Sequence, residues 1–204
     1  MKFPQLLKVL ALALVITTGA LTQHAFSQAQ DPAEDLQAVP VGSLVIPMDN
    51  TNQGPAATGA FNLRAYGLAN RMLQNNIPIK WAIKFNKAKD AVDFSATVTR
   101  IAGNDGPASC TNPTTCSVNF AGGPFIVAPE YAALATAQIT LFNNLISGTA
   151  DDVTVFKVTT ATNADIRYTL THKPLIAVGP DGGNFGTGVD QSLFDEAGIP
   201  NYTS

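Results

Sequence analysis

The segment Leu44-Val45-Ile46-Pro47-Met48-Asp49 opens a strand–loop–helix–strand unit whose plan returns in the last thirty residues of the chain. After a polar loop over 49–59, Phe61, Ala65, Leu68 and Met72 recur at helical spacing and predict a helix from Phe61 to about Asn75. Arg64, Arg71 and Gln74 fall on the other sides of that wheel. Asn75-Asn76 supplies a left-handed cap, and Pro78 forbids continuation. A strand follows through Ile77 to Ile83, in which Ile79, Trp81 and Ile83 alternate with Lys80, Ala82 and Lys84; it reads as one-sided and close to a sheet edge. The echo runs Leu175 to Asp181, then a Gly-bearing loop, a helix over Val189 to Ala197, and Gly198-Ile199-Pro200-Asn201-Tyr202. Each copy has a short apolar run ended by Pro and Asp, an amphipathic helix, and Ile-Pro before an extended segment. Two such units predict a layered α/β chain with a mainly parallel sheet.

Between the two units the pattern is strand-rich. Phe94, Ala96 and Val98 alternate with Ser95, Thr97 and Thr99, 103–117 is a Gly-, Pro- and Cys-bearing loop, and Val118 to Val127 is extended but broken by Gly122-Gly123-Pro124. Pro129 suits the first turn of a helix carrying Tyr131, Leu134, Gln138, Leu141 and Phe142 to about Asn144. Val153 to Val158 and Asp165 to Thr171 read as strands. The resulting layout is an extended lead-in over 30–42, an α/β domain over 43–160, a connecting strand over 161–174, and the start of a second unit over 175–204. A strand would only be beginning at Asn201, so the chain is expected to belong to a longer polypeptide. The alternative is a complete protein whose tail folds back on the first domain.

Residues 1–29 read as an export leader: Lys2 and Lys8, an apolar run from Val9 to Ala20, and Ser27-Gln28-Ala29 with small residues ahead of a cleavage site. The run is short of the roughly 20 residues that a bilayer span needs, so a transmembrane anchor is the weaker reading, and no later stretch is long enough. Removing the leader leaves ten of the twelve basic residues against fifteen acidic ones, a mildly acidic chain with nothing to attract a phosphate backbone. Nucleic acid is therefore not an expected partner. With 13% charged and 46% hydrophobic residues the chain can pack a core and is not of disordered type.

Both cysteines, Cys110 and Cys116, lie in one loop, which in an exported chain predicts a local disulfide; zinc or redox pairing lacks a nearby His, a third Cys or a CxxC spacing. The candidate ligand residues follow the two Pro-Asp strand ends: Asp49 and Asn50 in the first unit, Asp181, Gly182, Gly183 and Asn184 in the second. Carboxylates at such ends can bind a cation or a sugar hydroxyl, but Asp after a strand equally organises a turn. The loop Pro180–Gly188 could present N–H groups to an anion, yet it matches neither G-x-G-x-x-G nor a P-loop. His172 is the sole histidine outside the leader and sits at a connector, and no G-x-S-x-G elbow is present, so nucleophilic hydrolysis has no candidate. Trp81, Tyr66, Tyr131 and Tyr168 could form a carbohydrate platform or simply pack in the core. Neither a cofactor nor a metal centre is expected.

Leu44-Val-Ile-Pro-Met-Asp49, Ala65-Tyr-Gly-Leu-Ala69, Asn76-Ile-Pro-Ile-Lys-Trp-Ala-Ile83, Gly122-Gly-Pro-Phe-Ile-Val127 and Arg167-Tyr-Thr-Leu-Thr-His-Lys-Pro174 resemble the N-terminal part of large exported bacterial proteins. The layout also resembles flavodoxin-like domains, including those of class I glutamine amidotransferases. The resemblance implies a flavodoxin-like three-layer sandwich. It does not imply amidotransferase chemistry, because no Cys stands at a strand–helix elbow. The expected function is an exported, non-catalytic binding or scaffolding module at the front of a larger secreted or cell-surface protein, with an unidentified ligand or protein partner. The alternatives are an extracellular hydrolase using strand-end carboxylates, or a truncated fragment without activity.

Overall fold

The strand pairing overturns the parallel arrangement expected from the sequence. The computed structural model describes residues 34–54, 60–145, 152–175 and 189–199. Eight strands, β1 (Leu36–Val39), β2 (Leu44–Ile46), β3 (Ile79–Ala82), β4 (Val92–Ala102), β5 (Cys116–Ala121), β6 (Phe125–Val127), β7 (Val155–Val158) and β8 (Thr162–Leu170), join in one sheet of order β1-β8-β3-β6-β2-β7-β4-β5. Every pairing between these strands is antiparallel, so the chain is not a flavodoxin-like sandwich on a parallel sheet. The edges are β1, in the segment read as a lead-in, and β5. Strand β3 lies inside the sheet between β8 and β6 and not near an edge.

The strand–helix–strand unit at Leu44 is real, with one insertion. Strands β2 and β3 are both antiparallel to β6, so they run in the same direction, joined through helix α1 (Arg64–Gln74), with β6 between them. Strands β6 and β7 repeat the device through helix α2 (Ala132–Asn143), with β2 between them. Two interleaved crossovers in the order β3-β6-β2-β7 have the connectivity of the split β-α-β plait called ferredoxin-like. The β4–β5 hairpin extends this plait beyond β7, and β8 with β1 extends it beyond β3.

Both faces of the central strands are buried, and this explains the misreading. Leu44 and Ile46 point to the helices with Phe125, Val127 and Val155, where they meet Leu68 and Met72 of α1 and Ile139 and Phe142 of α2. Val45, Ile126 and Phe156 point the other way, into a second core with Phe94, Val98 and Phe120. The sheet curls to make that core. Val39 of β1 and Ala164 of β8 share it with residues of β4 and β5 from the far side of the strand order. The turn after β7 and the start of β8 are bonded to β4, Thr159 N–H to Thr97 O at 2.9 Å and Thr162 Oγ1 to Ser95 O at 3.2 Å. Consecutive apolar residues report only that both faces are covered; a parallel sheet is one way to achieve that, and a curled antiparallel sheet under two helices is another.

Helix α1 ends as the sequence predicts. Asn76 has φ 57°, and Ile77 N–H and Asn76 N–H reach back to Met72 O and Leu73 O in a Schellman arrangement. One side chain departs from the wheel: Arg64 is buried, donating from Nη2 to Phe142 O at 3.0 Å with its guanidinium 4.7 Å from the Phe142 ring centre. Gly67 lets α1 approach the turn after helix α3 (Val189–Glu196) so closely that an added Cβ would strike Ala197 O.

Two buried amides substitute for a neighbouring strand along 153–154. Gln53 accepts from Thr154 N–H at 2.7 Å and donates to Thr154 O at 3.1 Å. Asn143 does the same to Val153, at 3.0 and 3.1 Å. Cys110 and Cys116 are paired as a disulfide, with Cα atoms 5.1 Å apart. Among the described residues no helix is long and apolar enough to cross a membrane.

Two outcomes check this packing. Leu68→Ala should destabilise the protein by about 2–5 kcal/mol in urea unfolding, whereas Leu134→Ala, on the exposed side of α2, should cost less than about 0.5 kcal/mol. Thiol labelling of the unreduced, denatured protein should find no free cysteine; two labelled thiols would contradict the pairing.

Candidate functional site

Strand β2 ends at Ile46, and Asp49, reached through Pro47-Met48, folds the loop after it. Its Oδ1 accepts from Thr51 N–H at 3.1 Å, Asn52 N–H at 2.9 Å and Asn52 Nδ2 at 3.0 Å. Its Oδ2 accepts from Asn52 Nδ2 at 3.1 Å and from Ala121 N–H, at the end of β5, at 3.3 Å. This is the turn-organising role of an Asp that follows a strand. Asn52 completes the link by donating to Asn119 O at 2.9 Å. Gly122, with φ 71°, is needed at the junction because any Cβ there would meet Met48 O.

A second carboxylate, this one buried, works from the other side. Asp93 of β4 accepts from Gly123 N–H at 2.8 Å, from Lys84 N–H at 2.9 Å and from Lys87 Nζ at 2.9 Å. The turn 121–123 is thus clamped between Asp49 and Asp93. The start of the loop 84–91 is held by Asp93, through Lys84 N–H, and by buried Asp165, which accepts from Phe85 N–H at 2.6 Å and from Asp35 N–H at 2.9 Å. That loop carries Asp90 in a left-handed conformation, φ 62°.

These anchors leave a cleft of about 610 Å³ between the Asp49 loop, Asp90 and the end of β5. Asp49, Asn50, Thr51, Asp90 and Asn119 supply its polar lining, and Val92 and Ala121 are among its apolar residues. Asn119 is fixed by Ser95 Oγ, which donates to its Oδ1 at 2.6 Å, so its Nδ2 is left as the donor. Asp90 meets Lys89 in a solvent-exposed ion pair at 3.7 Å, worth little. Among the described residues no Lys or Arg lines the cleft.

Asp49 and Asn50 both line this cleft. Asp181, Gly182, Gly183 and Asn184 lie outside the described residues, as does the segment 1–29 whose pattern reads as a leader. Glu130 is exposed and does not line the cleft, and His172 is exposed, with Nδ1 3.2 Å from Thr171 Oγ1. Trp81 packs against Phe125 and Tyr168 at 5.9 and 6.0 Å between ring centres, tilted by 47° and 40°, so these rings form no flat platform. Among the described residues no group of three or more His, Cys, Asp or Glu is placed to hold a metal. Asp93, Asp165 and Asn119 were not singled out from the sequence. The available signal for the first was an acid between Val92 and Phe94, inside an otherwise apolar and hydroxyl-bearing strand.

Beside the site, Gly103 brings the chain against Thr154, and Asp105 N–H donates to Thr154 Oγ1 at 3.0 Å. Burial raises the Asp105 carboxyl above its ordinary value of 3.8, opposed by the Thr154 hydroxyl and the charge of Arg100. A raised acid binds its proton more tightly when folded, so its ionisation opposes folding at neutral pH, and the penalty fades as pH falls through the folded value. Asp105→Asn should therefore melt higher than the parent at pH 7, with the two melting curves converging below about pH 3.8.

Comparison with known protein families, curated proteins and solved structures finds no match to this chain.

Proposed function

We propose that this chain is an exported, non-catalytic recognition module whose cleft takes a neutral hydroxylated ligand of carbohydrate type. The observation that carries the reading is the division of labour around Asp49. Its two oxygens are committed to N–H groups of the protein, which removes it as an acid or base. Asn50, Thr51, Asp90 and Asn119, by contrast, offer carbonyl, hydroxyl, carboxylate and N–H groups to an open cleft. Such a mixture matches hydroxyls, each of which donates and accepts. The acidic lining, among whose described residues there is no Lys or Arg, disfavours anions, and Val92 and Ala121 give the apolar faces of a sugar ring a surface to lie on. Export is supported by the leader pattern of 1–29 and by the Cys110–Cys116 disulfide, a bond that persists in oxidising compartments. In this reading the chain presents the cleft at the front of a larger secreted or cell-surface protein.

Isothermal titration against cellohexaose, xylohexaose and maltohexaose tests the reading. At least one should bind, and Asp90→Asn and Asn119→Ala should each weaken it about tenfold or more, since losing a hydrogen bond to a charged or fixed group costs on the order of 1–3 kcal/mol. Asn tolerates the left-handed conformation at position 90, so the first variant should melt with the parent. Absence of binding by the parent at millimolar sugar would sink the proposal.

A further inference from the structure

The outer face of the β4–β5 hairpin leads out of the cleft. Asp93 is the extra residue of a bulge in β4: Val92 pairs with Ala121 and Phe94 with Phe120, so Asp93 turns inward and Val92 falls on the same face as Ser95 and Thr97. Three cross-strand rows follow one another on that face, Val92–Ala121, Ser95–Asn119 and Thr97–Ser117. From Ala121 to Ser117 they cover about 14 Å, at roughly 3.4 Å per residue. The first row lines the cleft and the third lines a second groove of about 150 Å³. The middle row joins the two: Asn119 lines the cleft, Ser95 lines the groove, and Ser95 Oγ donates to Asn119 Oδ1 at 2.6 Å. Thr160 and Thr162 form the far wall of the groove. That wall is tied to β4 by Thr159 Oγ1, which donates to Thr97 O at 3.0 Å, and by Thr162 Oγ1, which donates to Ser95 O at 3.2 Å. The hydroxyls of Thr97, Ser117 and Thr160 make no hydrogen bond to another described residue.

Given the cleft as a site for a neutral hydroxylated ligand, the reading on which this step rests, we propose that the ligand is a chain of sugar units and not a single sugar. One part of the chain fills the cleft at Asp90, and the next units lie along the β4–β5 face and into the second groove. At about 150 Å³ the groove falls short of the roughly 300 Å³ at which small-molecule sites begin, so it does not hold a ligand by itself. As the continuation of a cleft of about 610 Å³ it has to take only what the cleft leaves outside. Its lining has the matching chemistry: hydroxyls that donate and accept and, among the described residues, no charged side chain. A chain that repeats its hydroxyls at every unit reaches both places with one ligand, and the second contact is made without a second loss of translational freedom. The bonds from Thr159 and Thr162 to β4 fix the wall before any ligand arrives, so binding has little order left to impose.

Titration of the full chain with cellobiose and cellohexaose, xylobiose and xylohexaose, and maltose and maltohexaose separates chain binding from single-unit binding. In a series that binds, the hexaose should bind about tenfold or more tighter than the disaccharide, a gain larger than the extra registers of a longer chain supply by statistics alone. The double variant Thr97→Val, Ser117→Val places a strand-favouring residue at both positions, should melt with the parent, and should remove most of that gain. Asp90→Asn should weaken disaccharide and hexaose alike. A disaccharide that binds as tightly as its hexaose, or a double variant that keeps the full gain, would overturn the chain proposal while the cleft stands as a site for a short sugar. No binding by any of these sugars would instead overturn the reading of the cleft itself, and this proposal with it.

Discussion

The placement of β6 between β2 and β3 is the constraint on which the rest of the structure depends. It is only Phe125-Ile126-Val127, but it pairs antiparallel with both neighbours and offers apolar side chains to both faces. With β6 inserted, the crossover through α1 spans two strand positions, and the return through α2 spans two in the interleaved register. Both helices then lie over one set of side chains, with Leu44 and Ile46 beneath them. Without it, Leu44 and Ile79 would belong to adjacent parallel strands and the second helix would have no matching partner strand. The turn that delivers β6 is Gly122-Gly123-Pro124, and the same turn is the one clamped by Asp49 and Asp93. The cleft and the sheet order thus share one anchoring point.

Polar side chains do much of the work that additional backbone would do in a more regular sheet. Asp93 and Asp165 each accept from two or more N–H groups of different segments, and Gln53 and Asn143 each give a peptide-like donor and acceptor to the chain at 153–154. A buried polar group left without a partner costs about 1–3 kcal/mol, so such networks are specific as well as cohesive: few alternative packings satisfy all of their members. They also explain why the cleft has a fixed outline although short loops form most of its wall.

Much of the local structure was legible in the chain. The spacing of Ala65, Leu68 and Met72, the Asn75-Asn76 stop, the break at Gly122-Gly123-Pro124, and the alternation in β4 all correspond to observed elements. Asp49 and Asn50 do face a common cleft. The strand order was not legible, because consecutive apolar residues in β2 and β6 say that both faces are covered without saying by what. On α2 the inward side is Ala135, Ile139 and Phe142, while Leu134 and Leu141 are exposed, and the sequence pattern alone picks out no inward side of that helix. Arg64, Asp93, Asp165 and Gln53 each bond a partner distant in sequence, from 30 residues for Asp93 and Gly123 to 130 for Asp165 and Asp35, and no short window contains those pairs.

Strand β5 stands at the margin of the sheet, and a margin of unpaired peptide groups is a template on which a foreign strand can assemble. The loop after β2 occupies part of that margin. Asn52 consumes the Asn119 carbonyl and Asp49 consumes the Ala121 N–H, so for the last residues of β5 the ladder is terminated by side chains. An incoming chain would have to break both bonds before it could zip onto this end. The same two residues that shape the cleft therefore guard the protein against growing its sheet outward into aggregates.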